Sequence, residues 1–227
     1  MIPMDVRLPN DFGPIYTETN MLQFPVEPWN TYSNIIFLLI FLYWLKKIHG
    51  GYNKHLLFSI GLPLLLIGFV GGTVFHATRM HPVWLYMDFM PILILLTLTA
   101  FHLWYLLTSK LSASIALTFA SFGLNFVMRK FVFLPLVWKI SLGYSLSAIL
   151  VLLPAFILSY KHKWNGVGCL LFTIMYFFSA VLFRQIDKGL GAEVFPMGTH
   201  FLWHLCGGMS AFYIMKFIYI IETGKDS

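Results

Sequence analysis

The sequence predicts an all-α membrane protein, a seven-transmembrane-helix bundle that forms a single domain over residues 1–227. Of its 227 residues, 59% are hydrophobic and only 11% are charged, whereas a soluble domain carries about 25% charged residues. The mean hydropathy is +0.78, and the apolar residues fall in seven runs with short connections between them. These observations exclude a soluble globular domain and a disordered chain, because both need more polar residues.

Each apolar run is predicted to form one membrane-spanning helix. A helix of about 20 apolar residues crosses the hydrocarbon core of a bilayer, and it satisfies its own backbone polar groups. Residues 1–30 are predicted to be a polar N-terminal segment that caps the bundle. Its start lacks the charged-then-apolar order of a cleavable signal peptide, so the first apolar run is expected to stay as a helix. The predicted spans are 31–47, 55–77, 86–108, 111–128, 140–160, 165–184 and 198–220.

Two of the connections and two glycine pairs carry further expectations. The connection 129–139 mixes cations with aromatic residues, which is typical of a membrane interface. The connection DKGLGAEVFPMG, 187–198, is expected to be a loop. The pairs Gly68–Gly72 and Gly207–Gly208 are predicted to allow close helix packing.

The basic residues indicate a lipid partner and an orientation. The formal net charge is +6, and because the cations lie between apolar runs we expect anionic lipid headgroups, not nucleic acid, to be the partner. Lys46, Lys47 and Lys54 follow the first run, whereas Arg7 alone precedes it. This bias predicts that the N-terminus lies on the non-cytoplasmic side of the membrane. The two cysteines fall inside apolar runs, so no disulfide framework is expected.

The unusual polar residues are predicted to lie near one level of the membrane. Odd-numbered helices start on the N-terminal side, and even-numbered helices end there. Ionisable groups at membrane depth are costly, so such a convergence indicates function. The residues at this level are Glu27, Asn30, His76, Asp88, Arg184, Asp187, His200 and His204.

The spacing of two histidines in the last run predicts a metal site. His200 and His204 are four residues apart, which places both rings on one face of a helix. His76 is the best third ligand by its level, with His81 in reserve. Three protein ligands leave zinc an open position for water, as in catalytic sites, and Asp88 would then handle the proton. The same spacing also suits haem ligation, and a single histidine in an apolar helix is most often a packing residue.

Four motifs, in order along nearly the whole chain, resemble those of the alkaline ceramidases. They are EPWNTYSNIIF (Glu27 to Phe37), GGTVFHAT (Gly71 to Thr78), YMDFMP (Tyr86 to Pro91) and GTHFLWHL (Gly198 to Leu205). That family belongs to the CREST superfamily of seven-helix membrane hydrolases. The resemblance implies zinc bound by His76, His200 and His204, a proton-handling Asp88, and hydrolysis of ceramide to a sphingoid base and a fatty acid.

The resemblance also implies an oxyanion residue and a calcium site. A family serine one turn before the first histidine matches Gly72 here, and the nearest hydroxyl is that of Thr73, three residues before His76. Calcium would bind in the segment Ile15 to Met21 and at Glu27, although the family's leading aspartate matches Ile15, for which Asp11 is a candidate substitute. The implied calcium ligands are Glu18, Asn20, Glu27 and the backbone carbonyl of Tyr16.

The sequence is compatible with three hypotheses about function. The first is a zinc-dependent intramembrane amide hydrolase that acts on a ceramide-like membrane lipid. The second is a lipid esterase or phospholipase of the same superfamily, similar to the proteins that remodel GPI lipids. The third is a non-enzymatic seven-helix receptor with structural zinc. A retinal protein is disfavoured, because Lys216 lies near the end of its run, where snorkelling explains it.

Overall fold

The computed structural model describes residues 9–131, 133 and 136–224, and within these ranges the regular structure is entirely helical. A short 3-10 turn, Tyr52–Lys54, precedes the third helix. The helices are α1 (Pro28–Ser33), α2 (Ile35–Lys47), α3 (Leu56–Thr78), α4 (Pro82–Thr108), α5 (Leu111–Phe131), α6 (Leu136–Lys161), α7 (Val167–Ile186), α8 (Leu190–Val194) and α9 (His200–Thr223).

Among the residues that the structure describes, five helices are long and apolar enough to cross a membrane. They are α3, α4, α7, α9 and the part of α6 from Ser141 to Lys161. In α5 the apolar stretch is the shorter Leu111–Ala120, and α2 has 13 residues. Within the described residues the fold is thus all-helical, as predicted, with five candidate membrane-spanning helices. Membrane crossing by the first and fourth runs stays a prediction.

The first apolar run is broken into α1 and α2 at Asn34. Polar side chains compete here for backbone carbonyls that a continuous helix would use. The Asn30 carbonyl accepts hydrogen bonds from Ser33 Oγ at 3.0 Å and Asn34 Nδ2 at 2.9 Å. Pro28 stands in the first turn of α1, where its missing N–H costs nothing. The first run therefore forms two helices, with polar side chains hydrogen-bonded at the point where they join.

Three predicted boundaries are corrected by the structure. Helix α4 begins at Pro82 and not at residue 86, because His81 Nδ1 accepts a hydrogen bond from Val83 N at 3.1 Å and thus caps the helix. The connection predicted at 129–139 is shorter, since α5 reaches Phe131 and α6 begins at Leu136; residues 132, 134 and 135 of it lie outside the described residues. The loop predicted at 187–198 contains α8.

The described residues fall into two compact units, the first within Met1–Leu93 and Ser179–Gly208 and the second within Ile94–Phe178 and Met209–Ser227. In the first unit, glycines let helices approach closely. A Cβ at Gly71 would collide with the backbone of Met87, and one at Gly208 would lie 2.8 Å from the Ile36 side chain. Close packing is thus confirmed at Gly68, Gly72 and Gly208, whereas Gly207 faces open space.

The second unit has its own aromatic and polar contacts. The Tyr213 ring stacks on Phe172 with centroids 4.8 Å apart, and Ser210 Oγ donates to the Thr173 carbonyl at 3.0 Å. His102 Nε2 lies 2.8 Å from Glu222 Oε1. His102 therefore has its own partner in this unit.

Candidate metal centre

Three histidines converge in the first unit. His76 lies near the end of α3, and His200 and His204 lie in the first turns of α9. One ring nitrogen from each lies within 4.8 Å of the others, and all three side chains are buried. The predicted ligand set is thus brought together by two helices that are distant in sequence. Of the two candidates for the third ligand, the structure selects His76.

The hydrogen bonds of the rings leave nitrogen lone pairs available for a metal. His76 Nδ1 donates to Glu27 Oε2 at 2.5 Å, so the lone pair is on Nε2, which is buried without a partner among the described residues. Ser33 Oγ donates to the Asn30 carbonyl, so His204 Nδ1 is the donor in its 2.7 Å bond to Ser33. Nδ1 of His200 is likewise buried without a partner in the described chain.

These unpartnered nitrogens are the test of whether the residues fit a metal ion. Buried polar atoms in folded proteins almost always have a partner, so each exception needs an explanation. Neutral imidazoles that donate from one nitrogen to a carboxylate or hydroxyl are typical metal ligands, and imidazole suits zinc, copper, iron and nickel. The three-histidine cluster therefore fits a metal ion.

Glu27 is the central carboxylate behind His76. Besides His76, it accepts hydrogen bonds from Thr19 Oγ1 at 2.5 Å and from Arg79 Nη1. Burial alone would raise the pKa of this carboxyl, but the hydrogen bond from His76 and the charge of Arg79 lower it below its ordinary value. Glu27 is therefore ionised, and it fixes both the tautomer and the orientation of His76.

Arg79 and Asp11 extend this network beyond Glu27. Arg79 ends α3 in the left-handed conformation, with φ 50° and ψ 30°. Its Nε donates to Asp11 Oδ2 at 2.6 Å and its Nη2 to Asp11 Oδ1 at 3.0 Å. Its guanidinium carbon lies 4.6 Å from the centroid of the Phe75 ring. Both charged side chains are fully buried.

Asp187 fixes the start of α9, as Glu27 fixes His76 on α3. Its Oδ1 accepts hydrogen bonds from the backbone N–H groups of Thr199 and His200, each at 2.8 Å, at the positive end of the helix dipole. Its Oδ2 accepts a hydrogen bond from Thr17 N at 3.0 Å. The Tyr16 ring stacks on His200 with centroids 3.8 Å apart. The N-terminal segment thus lies against both ligand-bearing helices.

Asp88 lies beside α3 one turn before His76. A Cβ built on Gly72 would lie 2.5 Å from Asp88 Oδ1 and 2.8 Å from Asn34 Oδ1, so both oxygens face this glycine. Asn34 Oδ1 and Thr73 Oγ1 are buried without a hydrogen-bond partner among the described residues. Asp88 and Asn34 thus bring two side-chain oxygens to the turn of α3 before His76, and Thr73 adds a hydroxyl in the same turn.

The residues predicted to bind calcium each have a different partner. Both oxygens of Glu18 accept hydrogen bonds from the first turn of α1, from Trp29 N at 2.9 Å and Asn30 N at 2.6 Å. Asn20 is exposed, and its Oδ1 accepts a hydrogen bond from Leu22 N at 3.0 Å. Glu27 Oε2 binds His76, and the Tyr16 carbonyl accepts a hydrogen bond from Thr19 N at 3.2 Å. Calcium binding at these residues stays a prediction.

The contributions of Ser33 and Arg79 were not predicted from the sequence. Ser33 lies inside the EPWNTYSNIIF motif and three residues after Asn30, a spacing that could have indicated a shared helix face. Arg79 follows His76 by three residues at the end of an apolar run. A cation one turn after His76 could have indicated a nearby carboxylate, because a buried cation needs a negatively charged partner and a histidine ligand commonly binds one.

The comparisons with known proteins add no name to this site. The chain matches no protein-family model and no curated protein. The resemblance to the alkaline ceramidases therefore stays a prediction, and the case for function depends on the geometry of the site.

Proposed function

We propose that this protein is a zinc-dependent intramembrane hydrolase of a ceramide-like lipid amide, built on seven membrane-spanning helices. The observation that carries the proposal is the buried cluster of His76, His200 and His204, in which His76 Nε2 and His200 Nδ1 have no hydrogen-bond partner among the described residues. A carboxylate, Asp88, faces the helical turn next to His76. Buried ionisable groups inside an apolar helix bundle are costly, and a catalytic site explains why the chain keeps them.

The roles of the residues follow from their chemistry. Zinc held by His76, His200 and His204 would supply a Lewis acid and would lower the pKa of water to about 7. Asp88 accepts a proton from the attacking water and returns it to the leaving nitrogen as the C–N bond breaks. The products are a fatty acid and a free amine. The Thr73 hydroxyl donates a hydrogen bond to the carbonyl oxygen as negative charge develops there.

The surroundings of the cluster suit a lipid substrate. The helices that carry the histidines, α3 and α9, and the helix that carries Asp88, α4, are long and apolar, so a lipid can approach from the bilayer without crossing water. Charge bias around the first helix favours a site on the non-cytoplasmic side of the membrane. The N-terminal segment contacts the centre through Tyr16, whose ring stacks on His200, and through Asp11, which accepts a hydrogen bond from Arg79.

Metal analysis combined with a hydrolysis assay tests the proposal. The purified protein should contain one zinc ion and release fatty acid from ceramide, and His200→Ala should lose both properties. His162→Ala is the matched control, because His162 is exposed and far along the chain from the cluster. If the protein hydrolysed phospholipid or GPI-type esters and not ceramide, it would be a lipid esterase and not an amide hydrolase. Retained hydrolysis in His200→Ala, or zinc without turnover of any lipid, would refute the proposal.

A further inference from the structure

Behind the candidate metal centre lies a closed cluster of buried charges. Asp11 and Glu27 are the two carboxylates, and Arg79 is the cation between them. Three of the four carboxylate oxygens accept hydrogen bonds from the one guanidinium, and the fourth, Glu27 Oε2, accepts one from His76. All three charged side chains are fully buried.

The guanidinium fits this place in shape as well as in charge. Its planar fork matches carboxylate oxygens and remains ionised at every physiological pH. Its face lies over the Phe75 ring, at 4.6 Å, and 5.8 Å from the Tyr16 centroid, which adds cation–π attraction. Arg79 also ends α3, where the helix dipole favours a positive charge. A buried charge cluster is stable only when it is paired in this way.

The same cluster leaves little for a calcium ion to bind. Calcium takes six to eight oxygen ligands, but the oxygens of Asp11, Glu27 and Glu18 all accept hydrogen bonds from the protein. A dication beside the guanidinium would also meet strong like-charge repulsion in a buried site.

We propose that Arg79 is the permanent cation of this carboxylate cluster and a positioning residue for the metal centre, which makes the centre independent of calcium. Arg79 acts through Glu27: it holds the carboxylate in the orientation in which Oε2 receives Nδ1–H of His76. The inference rests on the proposed zinc centre, but not on the identity of the lipid.

The test measures metal binding of the full chain in detergent, so it needs no substrate. The protein is dialysed against zinc with and without millimolar calcium, and bound metals are determined by elemental analysis. We expect zinc without calcium, and the same thermal midpoint in both buffers. Arg79→Gln should raise the zinc Kd about 10- to 100-fold. Arg79→Lys should give a smaller increase, since lysine keeps the charge without the planar fork.

Lys46→Gln is the control, because it removes an exposed cation from the end of α2 and should leave the zinc Kd unchanged. The inference is overturned if the wild type takes up one equivalent of calcium, or if calcium raises its thermal midpoint or zinc affinity. It is also overturned if Arg79→Gln binds zinc as tightly as the wild type. If Arg79→Gln does not fold, Arg79→Lys and the calcium measurements decide. A wild type without zinc would refute the proposed function, while calcium uptake would still decide the role of Arg79.

Discussion

Replacing Gly72 with alanine tests how closely Asp88 is held against α3. The three atoms nearest to a Cβ at this position belong to Asp88 and Asn34, the first of them Asp88 Oδ1 at 2.5 Å. Both residues are less than half exposed, and Asn34 is fully buried. The added methyl group therefore has to displace the Asp88 carboxylate, the Asn34 amide, or α4 as a whole.

The expected effect on turnover is larger than the effect on stability. An unrelieved overlap of this kind in a packed interior costs about 1–3 kcal/mol, which the intrinsic helix preference of alanine over glycine offsets by about 1 kcal/mol. Displacing a catalytic group by about 1 Å costs about 100-fold in rate. Zinc content should be unchanged, because the nearest atoms include no histidine.

The measurements are zinc content, thermal midpoint and initial rate of lipid hydrolysis, each compared with Gly207→Ala. Gly207 is the matched control: it lies in α9 of the same unit, and a Cβ there meets no atom within 4 Å. We expect Gly207→Ala to keep full activity and Gly72→Ala to lose most of it with zinc bound. Equal activity in the two variants would show that Asp88 is not held at Gly72 as the structure indicates. Gly72→Ser places its Cβ in the same position, so it should lose activity too, despite the serine of the resembling family.

Three further predictions concern the outer carboxylates and the metal. Glu27→Gln should raise the zinc Kd about 10- to 100-fold, because the amide is a weaker acceptor for His76 Nδ1–H; exposed Glu193→Gln in α8 should not change it. Asp187→Asn should lower the free energy of unfolding by about 1–3 kcal/mol in denaturant titrations, since two backbone N–H groups lose a charged acceptor. Removing zinc with EDTA should abolish hydrolysis and lower the thermal midpoint, and zinc should restore both.

Different outcomes would contradict each of these predictions. If Glu27→Gln had the same zinc Kd as the wild type, Glu27 would not contribute to zinc binding. Wild-type stability in Asp187→Asn would mean that the start of α9 needs no carboxylate. Full hydrolysis after complete removal of zinc would exclude metal-assisted chemistry.

The sequence predicts those parts of the molecule that depend on local periodicity. Apolar runs of sufficient length predicted the helices, and the four-residue spacing of His200 and His204 placed both rings on one face of α9. The alternating direction of the helices then placed His76 and Asp88 at the same level. The boundaries failed where one side chain decides them: His81 caps α4 early, and Asn34 divides the first run.

The contacts behind the histidines could not be predicted in this way, because they join residues far apart in sequence through irregular chain. In the sequence, Arg79 is only a cation at the end of an apolar run. Only the structure shows it buried between Asp11 and Glu27, 68 and 52 residues away. Thr17 likewise meets Asp187 across 170 residues. No pattern of apolar residues contains such pairings.

The N-terminal segment therefore has as large a part in the centre as the helices that carry the ligands. On α3, His76 is oriented by Glu27, which Arg79 holds and Asp11 balances. On α9, the backbone of His200 is held by Asp187, which also binds Thr17. The N-terminal segment thus connects the ligand-bearing ends of α3 and α9. We therefore expect substitutions at Asp11 and Thr17 to change metal affinity indirectly, because Asp11 acts through Arg79 and Glu27 on His76, and Thr17 acts through Asp187 on the backbone of His200.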